Sequence, residues 1–352
     1  MRKLLIVSVF AATVFSACSP GYRQFTGYAQ GGVWSVKADL SGVRTKPAQI
    51  QAQIEAILLQ VDTTLSGYNK ASQLSRFNAG ERIWPSDMFC DIYTAAYWFW
   101  RNSDGALDCA AGPLFDIWGF GFRNDSLPSS VLVRETLASC GMARLRPDIR
   151  AAIAEDGSLC GKDLLRTGID GPLPRLNYNA IAQGYSCDLV ADYLHSIGIH
   201  NMLVDIGEIF CEGVNPSGRP WRVGVDRPVD GNNAPGAAIE AIWQNDGLAC
   251  GIVTSGNYRK YYTSGGRKYA HTIDPRTGMP AESELLSATI VTPTAMEADA
   301  WATISMVIGL DKAQDIVMTS CDMEAFFVWA DPSNGSFRHW ASPGLGLVRA
   351  ND

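Results

Sequence analysis

Apolar side chains recur at helical spacing in five segments of this chain. The clearest is residues 47–65, where they fall every three or four positions and predict one buried helical face. These positions are Ile50, Ile54, Leu58, Val61 and Leu65. The same spacing predicts helices over residues 88–101, 132–140, 180–197 and 295–308. The aromatic run at residues 97–100 indicates that the first of these four helices is deeply buried.

Short apolar and alternating runs between the helices predict strands. They cover residues 33–38, 202–206, 221–225, 237–243, 249–253, 288–291 and 325–329. No linker, repeat or low-complexity stretch divides the chain, and its last third alternates strand with helix. The pattern therefore predicts one α+β unit of mixed sheets with packed helices, either continuous or built as two intimately packed halves.

Composition adds little to this picture but excludes one class of partner. The chain has 352 residues, of which 47% are hydrophobic and 18% charged, which is enough apolar material for a full core. Its formal net charge is −7, and no basic cluster stands out. A protein that binds a nucleic-acid backbone needs a basic face. We therefore expect no nucleic-acid partner.

The N-terminal segment has the features of a secretory signal peptide. A basic start at Arg2 and Lys3 is followed by the apolar run 4–15 and then by small residues before Cys18. The apolar run is too short for a stable transmembrane helix. We therefore expect residues 1–17 to be removed on export.

The residues around Cys18 resemble a bacterial lipobox, in which the cysteine is lipidated and becomes the new N-terminus. This resemblance predicts a lipid anchor at Cys18, a tether over residues 18–25 and a single domain over residues 26–345. The protein would then be held at the bacterial cell envelope and would face a periplasmic compartment. The alternative is an ordinary signal peptide with an incidental cysteine.

Eight further cysteines are spread along the chain without a CxxC pair, which argues against a cysteine zinc site. Disulfides form in exported proteins, but the spacing of these cysteines does not give their pairing. Most of them lie in apolar contexts. We expect most of them to be buried free thiols.

Residues 270–303 place a histidine-containing turn before a helix that carries oxygen ligands. The turn contains His271 and Asp274, and the helix contains Asp299 and Thr303. A spacing of four puts the last two on one helical face. Mg²⁺ prefers oxygen ligands and keeps positions open for phosphate oxygens. The span therefore predicts a metal site that handles phosphate.

Two other segments give weaker signals for an anionic ligand. Residues 254–259 run from a strand end into a Ser-Gly turn, whose hydroxyls and free N–H groups suit a phosphate. Residues 177–185 begin a helix, and a helix N-terminus attracts anions. Taken alone, the first is equally an ordinary turn and the second an ordinary capped helix.

Five motifs, in sequence order, give the chain a resemblance to a known family. They read LSGYNxxSxLSRFN from Leu65, GPLxxxWGFG from Gly112, TSGxYRxYY from Thr254, HTIDPRTGxP from His271 and EADAWAT from Glu297. Together they resemble the ApbE family, the bacterial FAD:protein FMN transferases once labelled thiamine biosynthesis lipoproteins. The resemblance spans roughly residues 26–345 and implies a single ApbE-like, T-fold-like unit.

The resemblance implies Mg²⁺-dependent cleavage of the pyrophosphate of FAD. FMN is then joined by a phosphoester bond to a Thr or Ser hydroxyl of a partner flavoprotein, and AMP leaves. The expected acceptor is an exported or membrane flavoprotein, such as a subunit of a redox complex. Phosphoryl transfer depends on positioning and charge neutralisation, and a divalent ion supplies both.

The family pattern also implies roles for individual positions. The metal ligands would be the carboxylate of Asp299, the hydroxyl of Thr303 and the backbone carbonyl of Ala180. The FAD contacts would be Gln30, Tyr68, Ala106, Leu107, Asp108, Asn177, Gln183 and Ile273. His271 is expected to be a proton shuttle or a phosphate contact, or else only to pin its turn. Asp274 is expected either to be catalytic or to cap the same turn.

The chain departs from the family pattern beside the expected cofactor. The family commonly has Asp-Leu-Gly or Asp-Leu-Ser at residues 177–179 and Ala-Lys-Gly at residues 182–184, where this chain has Asn-Tyr-Asn and Ala-Gln-Gly. A usual Gly-Gly pair is also reduced to Gly207-Glu208. Three alternatives to FMN transfer therefore stay open: Mg²⁺-dependent hydrolysis of FAD to FMN and AMP, FAD binding without turnover, and a purely structural lipoprotein.

Overall fold

The computed structural model describes residues 21–118, 127–229, 236–257, 261–264, 267–270, 272–331 and 333–348, with the backbone alone for 261–264 and 267–270. Within these ranges the chain forms eight α-helices and fifteen strands. The helices are α1 (Pro47–Leu65), α2 (Gln73–Asn78), α3 (Asp87–Asn102), α4 (Gly112–Ile117), α5 (Ser130–Ser139), α6 (Ala182–Ser196), α7 (Ala295–Ile308) and α8 (Leu310–Thr319). The strands are β1 (Tyr22–Ala29), β2 (Gly32–Asp39), β3 (Met202–Asp205), β4 (Ile209–Glu212), β5 (Arg222–Asp226), β6 (Ile239–Gln244), β7 (Cys250–Gly256), β8 (Tyr261–Ser264), β9 (Arg267–Ala270), β10 (Ile273–Asp274), β11 (Met279–Pro280), β12 (Leu285–Thr292), β13 (Glu324–Ala330), β14 (Phe337–Ala341) and β15 (Leu347–Val348).

Eight strands form one sheet in the order β1-β2-β3-β4-β7-β12-β13-β14, in which each neighbouring pair is antiparallel. Strands β5, β6 and β15 form a second, three-stranded sheet. Two short hairpins pair β8 with β9 and β10 with β11. The α+β fold predicted from the sequence is therefore confirmed.

The large sheet is covered on both faces. Along β13, Ala325 and Phe327 pack with the apolar side of α7 and α8, whereas the alternate residues Phe326 and Val328 pack with the three-stranded sheet. Alternation of this kind, with both faces buried, makes β13 almost continuously apolar. The helices therefore lie on one face of the large sheet and the second sheet lies on the other.

Helix α7 is buried on more than one side. Ala298 and Ala302 face the large sheet, and Ala300 and Ile304 face the helical cluster that contains α3. A helix that is apolar nearly all round is expected to be buried in this way. Neither α7 nor any other helix of the described residues is long and apolar enough to cross a membrane. The side chains of α7 are therefore positioned by contacts within the protein.

The structure corrects the sequence prediction at residues 22–25 and in α3. Residues 22–25, assigned to a tether, belong to β1, which pairs with β2 along its whole length and buries Tyr22 and Phe25. In α3, Trp98 is 50% exposed although its neighbour Phe99 is buried. Consecutive residues of a helix point in different directions, and Trp98 lies on the side of α3 that faces solvent, together with Asp91 and Thr94.

Six of the eight cysteines in the described residues are buried, as the sequence predicts. All eight are free thiols in this structure. Cys211 on β4 and Cys250 on β7 are register partners, and their Sγ atoms lie 3.9 Å apart. Cys160 is partly exposed and Cys321 is exposed.

Candidate active site

Asp299 and Thr303 lie on one face of α7, in its first half and its middle respectively, as their spacing predicts. The helix begins after Thr294, whose side chain accepts a hydrogen bond from the N–H of Glu297. Asp299 is 5% exposed, and its Oδ2 accepts a hydrogen bond from the backbone N–H of Gly184 at 3.1 Å. The buried carboxylate therefore faces the first turn of α6.

Helices α6 and α7 cap each other at this crossing. Asp188 on α6 accepts hydrogen bonds from the N–H groups of Ala295 and Met296 at 2.7 and 2.9 Å, while Asp299 on α7 accepts from Gly184. The first N–H groups of a helix have no partner within the helix, so each carboxylate stabilises the other helix. The approach is close because a Cβ at Gly184 would lie 2.2 Å from the carbonyl oxygen of Ala295.

The pKa values of Asp299 and Asp188 are both raised. Burial raises the pKa of Asp299 well above its usual range, the N–H of Gly184 lowers it, and the charge of Asp188 raises it further. Burial also raises the pKa of Asp188 to about 7, despite the two N–H groups that favour its charged form. A buried carboxylate is costly unless it is paired with a cation. The crossing is therefore a place where a divalent cation would stabilise the ionised carboxylate.

Strand β7 brings the Thr254 motif to the same helix. Ser255 lies beside Thr303, and their hydroxyl oxygens are 3.4 Å apart. Asn257 follows the strand, and its side-chain oxygen accepts a hydrogen bond from the hydroxyl of Thr272 at 2.8 Å. This strand end therefore connects α7 to the turn that follows His271, a residue that itself lies outside the described residues.

The carboxylate of Asp274 organises that turn. It accepts two hydrogen bonds from the guanidinium of Arg276, each 2.8 Å long, and one from the backbone N–H of the same residue at 2.9 Å. With these contacts Asp274 caps its turn, and capping is the alternative to a catalytic role for this residue. A catalytic role for Asp274 stays a prediction.

The same turn packs on the segment that begins at Gly112. Trp118 donates its indole N–H to the carbonyl of Gly278 at 2.8 Å. Ile273 is 2% exposed and lies in one apolar cluster with Leu114 and Trp118. Because the side chain of Ile273 is enclosed there, a ligand contact at this position would fall on its backbone.

The segment before α6 meets the exposed ring of Tyr68. The side-chain amide of Asn179 donates to the phenolic oxygen of Tyr68 at 3.4 Å, and Tyr68 is 59% exposed. Asn177 accepts the N–H of Asn179 on its side chain and donates its own N–H to the carbonyl of Cys109. Ala180 follows directly, and none of the hydrogen bonds described for this structure ends on its carbonyl. An aromatic surface therefore stands beside a helix N-terminus.

Residues 106–108 contribute backbone to this region rather than free side chains. Ala106 and Leu107 are 1% and 3% exposed. The carboxylate of Asp108 accepts hydrogen bonds from the N–H groups of Ala110 and Met142. Burial raises the pKa of Asp108 to about 6, although these two N–H groups lower it. Contacts of a ligand with Ala106 and Leu107 would therefore be made by the main chain.

The side-chain amides of Gln30 and Gln183 both donate hydrogen bonds to other parts of the protein. The amide nitrogen of Gln30 donates to the hydroxyl of Ser186 on α6 at 2.6 Å. That of Gln183 donates to the carbonyl of Ile206 after β3 at 3.3 Å. Gln30 and Gln183 are therefore held against α6 and against the loop after β3.

Direct contacts join motifs that are far apart in sequence. The links run Thr272–Asn257, Ser255–Thr303 and Asp299–Gly184. Tyr68 and the loop at residues 106–109 adjoin the same region through residues 177–179. These contacts join parts of the motifs around α6, α7 and the turn at residues 272–280.

The sequence analysis missed Asp188. Its position on α6 carries a usable signal, because it is a carboxylate next to the buried Cys187 and close to the buried Val190 and Ala191. A charged residue on the apolar side of a helix needs a specific partner. Here the partners are the N–H groups at the start of α7.

The chain is similar to known proteins along nearly all its length. The sequence model of the ApbE family matches residues 31–327. The FAD:protein FMN transferase of Salmonella typhimurium is 34% identical to this chain, over 99% of this chain and 95% of that protein. The FAD:protein FMN transferase of Escherichia coli K12 is also 34% identical, over 90% of this chain and 86% of that protein.

Solved structures show the same architecture. The apo form of the flavinyl transferase ApbE from Pseudomonas stutzeri is 33% identical, with a TM-score of 0.76, and the match covers 92% of this chain and 95% of that one. The flavin transferase ApbE from Vibrio cholerae is 28% identical, with a TM-score of 0.73 over 92% of this chain and 98% of that one. Sequence, fold and the order of the motifs agree, and this chain belongs to the ApbE family.

Proposed function

We propose that this protein is an FAD:protein FMN transferase that depends on Mg²⁺. The observation that carries the proposal is the position of the buried carboxylate of Asp299, with Thr303 on the same helical face, against the first turn of α6. Membership of the ApbE family and the similarity to FAD:protein FMN transferases support the same function.

The proposed metal ligands have the donor atoms that Mg²⁺ prefers. Asp299 offers a carboxylate, Thr303 a hydroxyl and Ala180 a backbone carbonyl, so all three ligand atoms are oxygens. Asp299 is the one charged member of the set, and burial disfavours its charge in the absence of a cation. The residues present therefore fit the ion. When bound, Mg²⁺ would neutralise charge on the phosphates during transfer.

The surrounding groups suit the other parts of FAD. The exposed ring of Tyr68 offers a stacking surface for an aromatic ring system. The first turn of α6 and the hydroxyl of Ser255 offer donors for phosphate oxygens. Gln183 stands where the family commonly has a lysine; its amide nitrogen donates one of its two hydrogens to the carbonyl of Ile206 and carries no positive charge. FAD bound here should therefore be surrounded by less positive side-chain charge than in family members that have the lysine.

The proposed reaction exchanges one bond to phosphorus for another. The hydroxyl oxygen of an acceptor Thr or Ser bonds to the phosphorus of the FMN half, and the anhydride bond to AMP breaks. The hydroxyl proton passes to a base and AMP takes up the leaving electron pair. Because the carboxylate of Asp274 already accepts three hydrogen bonds from Arg276, we assign the proton transfer to His271.

We also propose that the protein is lipid-anchored in the bacterial cell envelope and faces the periplasm. The signal-like segment 1–17 and the lipobox-like residues around Cys18 support export and lipid anchoring. The acceptor would then be an exported or membrane flavoprotein that meets the enzyme in the same compartment. Labelling of growing cells with a clickable fatty acid should modify the wild type and leave Cys18→Ser unlabelled. Equal labelling of both would contradict the anchor.

One incubation separates FMN transfer from its alternatives. Purified protein is mixed with FAD, MgCl₂ and a candidate flavoprotein domain, and AMP is measured by chromatography while covalent flavin is measured by fluorescence of the acceptor in a denaturing gel. Transfer predicts equal amounts of AMP and labelled acceptor, and neither of them in EDTA. AMP without labelled acceptor would indicate hydrolysis instead. FAD that stays bound and intact would contradict both enzymatic functions.

A further inference from the structure

Two histidines and a glutamate come together at the far end of α6 from Asp299. Nε2 of His195 lies 2.5 Å from Oε2 of Glu212, and Nδ1 of His200 lies 3.3 Å from Oε1 of the same carboxylate. One ligand atom from each residue lies within 4.8 Å of the other two. With a rise of about 1.5 Å per residue, His195 is roughly 16 Å along the helix from Gly184, which contacts Asp299. The cluster is therefore separate from the proposed flavin site.

The three side chains come from the last turn of α6, the loop after α6 and the end of β4, and two of them are fixed by packing. His195 is in the last turn of α6, with Phe210 edge-on at 6.1 Å and the ring of His200 stacked at 5.3 Å. Glu212 ends β4, and its side chain is 18% exposed. The indole of Trp221 donates to the carbonyl of Glu212 at 2.9 Å. Two of the candidate ligands are thus held in place before any ion binds.

The backbone next to Glu212 also brings His200 near. A Cβ at Gly213 would lie 2.6 Å from the carbonyl oxygen of His200 and 2.1 Å from Oδ1 of Asn201, so only glycine allows this approach. The same Asn201 oxygen accepts the N–H of Val214 at 2.9 Å. The loop that carries His200 is therefore tied to the strand end that carries Glu212.

We propose that His195, His200 and Glu212 form a binding site for a zinc-type divalent cation. Two imidazole nitrogens and one carboxylate are a donor set that Zn²⁺ accepts, with a further position left for water. Metal–ligand bonds of about 2.0–2.2 Å require the three ligand atoms to stand a little over 3 Å apart, so small rotations of the side chains suffice. Mg²⁺ prefers oxygen ligands and would compete poorly at this site. The ion would link the last turn of α6 to β4.

The test is a calorimetric titration of the full chain with ZnCl₂ in the presence of excess MgCl₂. We expect about one Zn²⁺ per chain for the wild type. His200→Ala should weaken binding by at least ~10-fold, because it removes one of three ligands. The side chain of His200 is 66% exposed, so this variant should fold, which a circular dichroism spectrum can check. His339→Ala, at an exposed histidine on β14, is the matched control and should bind Zn²⁺ like the wild type.

Asp299→Asn provides the second control. It alters the proposed Mg²⁺ site and should leave the Zn²⁺ affinity unchanged, so failure of the proposed function would not affect this result. Equal Zn²⁺ affinity of the wild type and His200→Ala would overturn the proposal. The same holds if the wild type binds no Zn²⁺, or if Asp299→Asn abolishes the binding.

Discussion

At the scale of single residues, the shared feature is a set of aspartate carboxylates that are buried or partly buried. Asp299 is buried, Asp108 and Asp188 are partly buried, and burial raises the pKa of all three. Each accepts hydrogen bonds from backbone N–H groups, which favour the charged form. The N–H groups that bind Asp108 are those of Ala110 and Met142, and the N–H groups that bind Asp188 are at the start of α7. For Asp299 a single N–H is available in the described structure, which leaves room for a cation.

Asp108 gives a pH-dependent prediction. Its pKa is about 6 in the folded protein and near the ordinary aspartate value of 3.8 when unfolded. Between these values the folded state binds more protons than the unfolded state, so the contribution of Asp108 to stability falls as the pH rises. It is fully present below about 3.8 and is lost as the pH passes about 6. A difference of roughly two pKa units corresponds to about 3 kcal/mol at most.

Urea unfolding of the wild type and Asp108→Asn across this pH range measures the effect. The asparagine does not titrate, but its side-chain oxygen can still accept from Ala110 and Met142. We therefore expect the stability of the variant relative to the wild type to increase by about 2–3 kcal/mol between pH 4 and pH 7. Parallel stability curves for the two proteins would contradict this assignment of the pKa.

The crossing of α6 and α7 is the decisive feature at the scale of elements. Each helix supplies the carboxylate that caps the other, and the contact point is a glycine. The position of Asp299 therefore depends on how closely the two helices approach. A change that separates them should affect stability and activity together.

Gly184→Ala tests this dependence. The added Cβ would lie 2.2 Å from the carbonyl oxygen of Ala295 and 2.8 Å from Cα of Met296, and backbone atoms cannot rotate away. We expect a loss of stability of about 1–3 kcal/mol and a higher Mg²⁺ concentration for half-maximal AMP release. Gly32→Ala is the control, because its Cβ would have no heavy atom within 4 Å. Thermal unfolding and AMP release at several Mg²⁺ concentrations would measure both effects, and wild-type behaviour of Gly184→Ala would contradict the account.

The sequence predicts some elements well for clear physical reasons. The bounds of α1 and α7 agree with the predicted helices, because α1 has one apolar face and begins with a proline, and α7 is almost entirely apolar. Strand β1 was missed because its exposed positions, such as Arg23, Gln24 and Thr26, hide the alternation. Helix α8 was missed because it begins directly after Gly309, which also ends α7.

Long-range contacts could not be read from spacing alone. Asp299 and Gly184 are 115 positions apart, and the resemblance to the ApbE family implied only that Asp299 shares a metal with the nearby carbonyl of Ala180. For His195, His200 and Glu212 no motif was available. They meet because β3 and β4 form a hairpin that places Glu212 opposite Met202, just after the loop with His200. The register of this hairpin makes that cluster, and no local motif marks which side chains it places opposite one another.

At the scale of the whole molecule, α6 connects two chemically different regions. Its first turn contacts the oxygen ligands proposed for Mg²⁺, and its last turn carries a nitrogen ligand proposed for Zn²⁺. The large sheet holds both regions, since β7 contacts the first and β4 the second. This arrangement lets either site be changed while the other serves as a reference.

The central claim is that Asp299 holds the cation on which FMN transfer depends, and Asp299→Asn tests it most directly. The amide oxygen can still accept the N–H of Gly184, but the one charged ligand of the proposed set is lost. Loss of several kcal/mol of charge stabilisation predicts that AMP release and acceptor labelling both fall by at least ~100-fold. Asp311→Asn, at an exposed aspartate on α8, should behave like the wild type. Undiminished AMP release and labelling by Asp299→Asn would contradict the account.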